Sequence, residues 1–398
     1  MEFHTPFNMP FIVGRELHHI AHAVTLGNLG GDGPFTQKCG RILEEQSGSP
    51  NVLLTPSCTA ALELAALLCK FEPGDEVIMP SFTFVSTANA AVRAGAKPVF
   101  VDIRSDTLNL DETLIEQAIG PQTRAIFPVH YAGVGCEMDE IIRLAKKHDL
   151  LIVEDAAQGV NAYYRGRALG SMGQLGTYSF HETKNYICGE GGALCVNDSE
   201  LLHRAHVLRD KGTNRQDFLL GKVRKYEWVD IGSSYIPSEL VSAFLLGQLE
   251  EMDRISSKRR AIYQYYFAQL ENLEESGLIR RPFIPEHCTT NFHLFYVLFE
   301  SEAVRDSVRG SLNQAGIHAI SHFEPLHESP MGRDVGSNNQ PLPVTESLAR
   351  RLLRLPLFFN ISEEQQAGVV DGINRALKGF WNRSTVSIPN SMDRSNTQ

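Results

Sequence analysis

The stretch Asn51-Val52-Leu53-Leu54-Thr55-Pro56-Ser57-Cys58-Thr59-Ala60 runs from apolar residues through a Pro-Ser break into a helical pattern that continues to Lys70. A short apolar run closed by turn residues reads as a buried strand, and the periodic segment behind it as its covering helix. The same unit recurs outward to Val196. Strands are predicted at 51–55, 76–79, 98–103, 124–130, 150–154, 176–180 and 193–196, with helices at 59–70, 86–94, 111–119 and 138–148. Alternation of this kind means a parallel sheet with helices on its faces, an α/β fold. After Glu200 the rhythm changes to long helices at 239–260 and 261–273, then a strand at 293–299, a helix at 303–315 and a strand at 318–322. We therefore expect a large domain over 1–250 and a smaller α+β domain over 251–381. Residues 382–398, rich in Ser, Asn and Thr, are expected to be disordered because they bury little apolar surface.

The 398 residues carry a formal net charge of −10 and no Lys/Arg-rich run, which argues against a nucleic-acid partner. Seven cysteines without a C-x-x-C pair point to a reducing compartment and give no zinc or disulfide framework, so no metal is expected. Met1 to Gly14 lacks the basic-then-apolar pattern of a signal, and no run of about 18 apolar residues occurs, so neither export nor a membrane is expected. A cytoplasmic protein is the expectation.

In open α/β sheets ligands gather beyond the carboxyl ends of the strands. Three polar groups fall there. Ser57-Cys58-Thr59 opens a helix, where free N–H groups and hydroxyls suit a phosphate, although alone it is an ordinary helix cap. Asp155 closes the run Leu150-Leu151-Ile152-Val153-Glu154, so its carboxylate is poorly solvated and needs a cationic partner. Lys184 follows Ser179-Phe180-His181-Glu182-Thr183 and precedes Gly189-Glu190-Gly191-Gly192, whose glycines allow a tight turn and close approach. With the aromatic Phe84, these match what pyridoxal 5′-phosphate (PLP) requires: an anion site, an acid for the ring nitrogen, a flat apolar cover and a lysine for the aldehyde.

These motifs, together with Pro80-Ser81-Phe82-Thr83-Phe84-Val85-Ser86-Thr87-Ala88-Asn89 and Val153-Glu154-Asp155-Ala156-Ala157-Gln158, occur in the order seen in one family. The chain resembles the DegT/StrS nucleotide-sugar aminotransferases up to about Leu377, and within them the dTDP-4-amino-4,6-dideoxygalactose transaminases. The resemblance implies the aspartate-aminotransferase architecture (fold type I), with a mostly parallel seven-stranded sheet and a smaller C-terminal α+β domain. It implies that Lys184 carries the cofactor, Asp155 pairs with the ring nitrogen, Phe84 stacks on the ring and Gln158 touches the ring hydroxyl. Cys58, Thr59 and Ser179 would hold the phosphate. Ser234 stands where the family usually has an Asn that reaches the phosphate of the neighbouring subunit, so a homodimer with shared active sites is implied.

Candidate substrate contacts are Lys211 and Arg215 in a Gly-containing basic loop, and His322 and His327 in a loop resembling the one that borders the family's sugar site. The implied reaction moves an amino group from L-glutamate, through pyridoxamine 5′-phosphate, to a nucleotide-linked 4-keto-6-deoxyhexose. Amination of a 3-keto sugar, sugar dehydration on the same fold, and a non-catalytic binding or regulatory role are the alternatives. Dehydratases of the family carry His in place of the lysine, so Lys184 weighs against them.

Overall fold

The computed structural model describes residues 3–337 and 340–384. Seven strands form the main sheet: β1 (Val52–Thr55), β2 (Glu76–Pro80), β3 (Lys97–Val101), β4 (Thr123–Ile126), β5 (Leu151–Asp155), β6 (Leu175–Ser179) and β7 (Gly192–Val196). Their order is β1-β7-β6-β5-β4-β2-β3. The pairs β2–β3, β2–β4, β4–β5 and β5–β6 are parallel, while β7 runs antiparallel to both β1 and β6. Each of the seven strands predicted between residues 51 and 196 is present, with shifted ends. β4 stops at Ile126, short of the predicted 130, because Pro128 has no N–H to give the ladder; a single bridge from Val129 to Asp155 is all that follows.

Successive residues of a strand point to opposite faces, and both faces of this sheet are buried. Ile78, Ile126 and Ile152 enter one apolar cluster, whereas Val77, Met79, Ala125, Phe127 and Val153 enter the other. β5 sits in the middle of the sheet, so a near-continuous apolar run is the only pattern it tolerates.

Helices α1 (Glu16–Leu26) and α2 (Pro34–Ser47) precede the sheet and were not predicted. The start of α2 is held from afar: the buried Glu239 carboxylate accepts from the N–H groups of Gly33, Phe35 and Thr36. α3 (Cys58–Leu68), α4 (Val85–Arg93) and α5 (Met138–His148) cover the sheet as expected. The helix predicted over 111–119 is instead a 3₁₀ turn, Glu112–Leu114, and a single α turn, Ile115–Ala118. Gly120-Pro121 leaves it no room to grow.

The helix expected over 239–260 is two. α6 (Glu239–Leu249) packs Leu245, Leu246 and Leu249 into the main core, and α7 (Met252–Gln269) carries Ile262, Tyr263 and Tyr266 into a separate cluster. The break at Glu250-Glu251 hands the chain from one core to the other, and the predicted 261–273 segment is the continuation of α7 plus a short turn, Glu271–Glu275.

A second sheet, β8 (Ile279–Arg280), β9 (Phe295–Phe299) and β10 (Leu352–Leu355), is antiparallel in the order β8-β9-β10. Helices α8 (Glu302–Gln314) and α9 (Glu363–Ser384) complete the smaller α+β unit. The strand predicted at 318–322 is absent: only Ile320 bridges, to Arg354, because the Ala319 N–H turns to Ile317 and the Asn313 side chain. β10 takes its place in the sheet. Helix α9 runs past the boundary expected at 382, and the rest of the expected tail, 385–398, lies outside the described residues.

Candidate active site

The carboxyl ends of β1, β2, β5 and β6 converge on a cavity of about 600 Å³. Its walls include Ser57, Cys58, Thr59, Phe84, Asp155, Gln158, Ser179, Lys184, His322 and Arg354.

The first wall is the start of α3. Ser57 caps it by accepting from the Ala60 N–H at 3.1 Å, which leaves the N–H groups of Cys58 and Thr59 for a ligand. Gly192 of β7 runs directly against this turn, where a Cβ would lie 2.4 Å from the Cys58 nitrogen, so no larger residue fits. Thr59 and Ser86 share a hydrogen bond of 2.7 Å, and Ser179 adds a second hydroxyl from the end of β6. Burial pushes the Cys58 thiol far up, so it stays uncharged beside this anion site.

Asp155, 5% exposed, accepts from Thr87 Oγ1 at 2.6 Å and from the Ala157 N–H at 3.1 Å. Thr83 in turn bonds Thr87 at 2.9 Å. Two donors fix the plane of the carboxylate. The neighbouring Glu154 points to the opposite face and is saturated by His130 Nε2 and the N–H groups of Gly170, Met172 and Gly173, a purely structural use of the same side chain. Gln158 accepts the Ala132 N–H at 2.7 Å through its carbonyl, which turns its NH₂ into the donor end.

Lys184 is half-buried and, among the described residues, makes no hydrogen bond or ion pair through Nζ. Burial pushes its ammonium below the ordinary lysine range. Cys58 cannot oppose that shift, being neutral where the lysine titrates; Arg354 adds to it, and Asp155 is the anion that counters it. A lysine with depressed pKa is a better nucleophile and proton carrier near neutral pH.

An aromatic wall faces the lysine from the smaller unit. His322 bonds the Tyr131 hydroxyl at 2.7 Å and stacks on Phe323 at 3.7 Å, and Phe323 reaches Phe84 at 6.2 Å. Burial, with Arg354 and Lys184, drives the His322 pKa well below its usual value, so it stays neutral. His293 also lines the cavity and is held by Asn185 at 2.9 Å.

Other predicted residues sit elsewhere. His327 is tied to Ser81 at 2.7 Å and Glu346 at 3.3 Å in a packed turn and does not line the cavity. Lys211 and Arg215 pair with Asp210, at 3.0 and 3.3 Å, and Arg215 lines a second cavity. Ser234 is exposed and bridges to Asp210, away from this chain's Lys184. Conversely, Thr83, Thr87, Tyr131, His293 and Arg354 belong to the site without having been singled out. Thr87, on the face of α4 that buries Ala90 and Ala91, carried a readable signal, a hydroxyl on an apolar face, and Thr83 just before the helix bonds it.

The residues present fit PLP. A phosphate can take the free N–H groups of α3 with the Thr59 and Ser179 hydroxyls, a ring nitrogen can pair with the pre-oriented Asp155, and Lys184 is free for an aldehyde. Fold and site together define a PLP-dependent aminotransferase of fold type I. The chain belongs to the DegT/DnrJ/EryC1/StrS aminotransferase family, which it matches over residues 12–374. It is 33% identical to the spore coat polysaccharide biosynthesis protein SpsC of Bacillus subtilis strain 168 over 386 residues, covering 94% of this chain and 97% of SpsC. Among solved structures, DesV from S. venezuelae is 33% identical with a TM-score of 0.82, covering 91% of this chain and 94% of that one. Spr1654 of Streptococcus pneumoniae in its PLP form is 25% identical with a TM-score of 0.86, covering 94% and 98%; it has also been solved in a PMP form. Among the described residues no helix is long and apolar enough to cross a membrane.

Proposed function

We propose that the protein transfers the amino group of L-glutamate to C4 of a nucleotide-linked 4-keto-6-deoxyhexose, dTDP-4-keto-6-deoxy-D-glucose, releasing 2-oxoglutarate and a dTDP-4-amino-4,6-dideoxyhexose. The observation that carries this reading is the unpaired, half-buried Lys184 sharing one cavity with Asp155 and the open start of α3. When bound, PLP supplies the electron sink that lets an amino group leave one carbon and join another. Lys184 would hold it through its amine and, once that amine is freed, would serve as the acid and base that moves the proton from the donor's α-carbon, and as the same proton carrier for the sugar. Asp155 would pair with the protonated ring nitrogen and stabilise the negative charge that the ring takes up.

For the acceptor, support comes from SpsC, named for polysaccharide biosynthesis, and from the aromatic wall of Phe84, His322 and Phe323 with Ser321, which offers flat apolar faces and polar edges to a sugar ring. We extend the reading to a homodimer in which Ser234, Lys211 and Arg215 serve the partner's cavity. The same loop exposes Phe218, Leu219, Leu220, Tyr226, Trp228, Val229 and Ile231, an apolar surface that a second copy would cover.

The test is incubation with dTDP-4-keto-6-deoxyglucose and glutamate. Equimolar 2-oxoglutarate and amino sugar are expected, with NMR couplings assigning the configuration at C4. A wild-type protein that holds PLP and aminates no such sugar would overturn the reading.

A further inference from the structure

His293 lies on the wall of the active-site cavity, and the reaction as proposed makes no use of it. It is buried at the end of Thr289-Thr290-Asn291-Phe292-His293, the segment that leads into β9. The surroundings are costly to build. Phe292 holds a positive φ of 54°, a conformation that an aromatic residue rarely takes. The buried Arg259 braces this turn by giving its N–H groups to the carbonyls of Phe292, at 3.2 Å, and of His293. Asn291 donates to the carbonyls of Gln158 and Val160, each at 2.8 Å, so the turn is also fixed to the segment that carries Gln158.

The imidazole itself is set by Asn185, the residue after Lys184. Asn185 Nδ2 donates to the Asn291 carbonyl at 2.8 Å; a carbonyl can only accept, so the amide oxygen is the end that faces His293 Nδ1, at 2.9 Å. Nδ1 must then carry the hydrogen. Burial, with Lys184, Arg259, Arg354 and His322 nearby, drives the His293 pKa well below its usual value, so the ring stays neutral and Nε2 is a bare acceptor. Among the described residues Nε2 has no hydrogen-bond partner, and it is not sealed from solvent, so it opens on the cavity that the ring lines. His322 differs: its Nδ1 meets the Tyr131 hydroxyl, which can donate or accept, so that partner selects no tautomer.

We propose that His293 is a positioning residue for Lys184: its Nε2 accepts a hydrogen bond from the ammonium that the lysine becomes on taking a proton, while Asn185 keeps that acceptor edge turned to the cavity. The inference rests on the reading that Lys184 is the proton carrier. No proton passes to the histidine; the lysine gains one from the donor's α-carbon, and the imidazole only receives the new N–H. An ammonium formed in this cavity is penalised by burial, and Asp155, the anion that counters the penalty, is committed to the ring nitrogen on the same reading. A neutral acceptor steadies the ammonium without holding its proton so tightly that delivery fails.

The test is made where Lys184 is a free amine with the cofactor in place, in enzyme saturated with pyridoxamine 5′-phosphate. Cyanate carbamylates the unprotonated amine, so its rate at the Lys184 peptide, read by mass spectrometry against pH, reports the lysine pKa. His293→Phe should lower that pKa by about one unit, the equivalent of one hydrogen bond to a charged group. His293→Gln, whose amide can donate to Asn185 and accept from the cavity side, should return it to within about 0.3 unit of wild type. The other titratable groups of the wall, Asp155, Cys58, His130, His181, Glu190, His322 and Arg354, are the same in all three proteins. No shift in His293→Phe, an upward shift, or equal shifts in both variants overturns the assignment. Should His293→Phe not melt cooperatively, nitrogen NMR of the wild type decides: His293, identified by the signal missing from His293→Gln, should be the neutral Nδ1–H tautomer across about pH 6 to 9, and a hydrogen on Nε2 would overturn the proposal. An enzyme that behaves in this way yet aminates no keto sugar would sink the proposed acceptor and leave the His293 pairing standing; full amination without these signs would do the reverse.

Discussion

Two of the cavities that open on this chain have nearly equal volumes, about 600 and 630 Å³, and differ in how their charges are settled. In the second, Arg209 is clamped by Asp32 and Arg215 leans on Asp210, while Arg41 is exposed to solvent and gives its Nε–H to the Gln37 carbonyl. In the first, among the described residues neither Lys184 nor Arg354 makes an ion pair, while the Asp155 carboxylate is oriented by Thr87 and Ala157. Size does not separate a catalytic pocket from a crevice. Charge withdrawn from water and left unpaired by the fold does, since it is costly unless a ligand completes it.

The largest effect expected from this contrast is at Lys184. Lys184→Ala removes both the anchor and the proton carrier, so steady-state transamination should fall by at least about 10⁴-fold, as measured by 2-oxoglutarate release. Activity within tenfold of wild type would mean that another amine does the work.

Asp155 comes next. Asp155→Ala should still hold PLP, because the lysine and the α3 phosphate site do not depend on it, but its single-turnover reaction with glutamate should slow at least about 100-fold. Stopped-flow absorbance on cofactor-saturated protein decides this; a near-normal rate would reduce Asp155 to a structural acid like its neighbour Glu154.

A third effect is thermodynamic. Because the folded-state pKa of Lys184 lies below its unfolded value, the unfolded chain binds the extra proton and stability rises with pH through that interval. The charged lysine thus destabilises the cofactor-free protein fully below its folded pKa, and the penalty fades toward the ordinary lysine value. Lys184→Met should therefore raise the Tm of the cofactor-free protein at pH 7 by about 1–3 °C, with the gap closing as pH approaches 10. A gap that is constant with pH would contradict a depressed lysine.

The smallest effect belongs to the second cavity. Arg215 is solvated and already paired, so Arg215→Ala should leave Tm within about 1–2 °C and the glutamate half-reaction within about twofold. A rise confined to the KM for sugar nucleotide would support service to a partner's site. A slower glutamate half-reaction would mean that the two cavities are coupled.

What could be read in advance follows the same divide. Lys184, Asp155, Cys58, Thr59 and Ser179 all fall at or just past the carboxyl ends of strands, where topology sends ligands, and the seven-strand pattern was readable because buried strands and covering helices differ in period. β10 was not readable as a strand. Its Leu352-Leu353-Arg354-Leu355 run is a short apolar segment with a charge in it, flanked by helix and proline, and only pairing with β9 defines it. The place of Arg354 in the cavity wall was hidden for that reason. Likewise Tyr131 and His322 are 191 residues apart, and their contact is a product of tertiary packing that no local pattern announces. The helix α2 start is similar, since its cap is Glu239, some 200 residues away.

The most direct test of the central claim is chemical. Sodium borohydride reduces a lysine–cofactor Schiff base to a stable amine only where one exists, so the purified PLP-loaded enzyme should lose its visible absorbance and acquire one phosphopyridoxyl group per chain. Peptide mapping by mass spectrometry should find that mass on Lys184. Finding it on any other lysine, or on none in a protein that has bound PLP, would contradict the account.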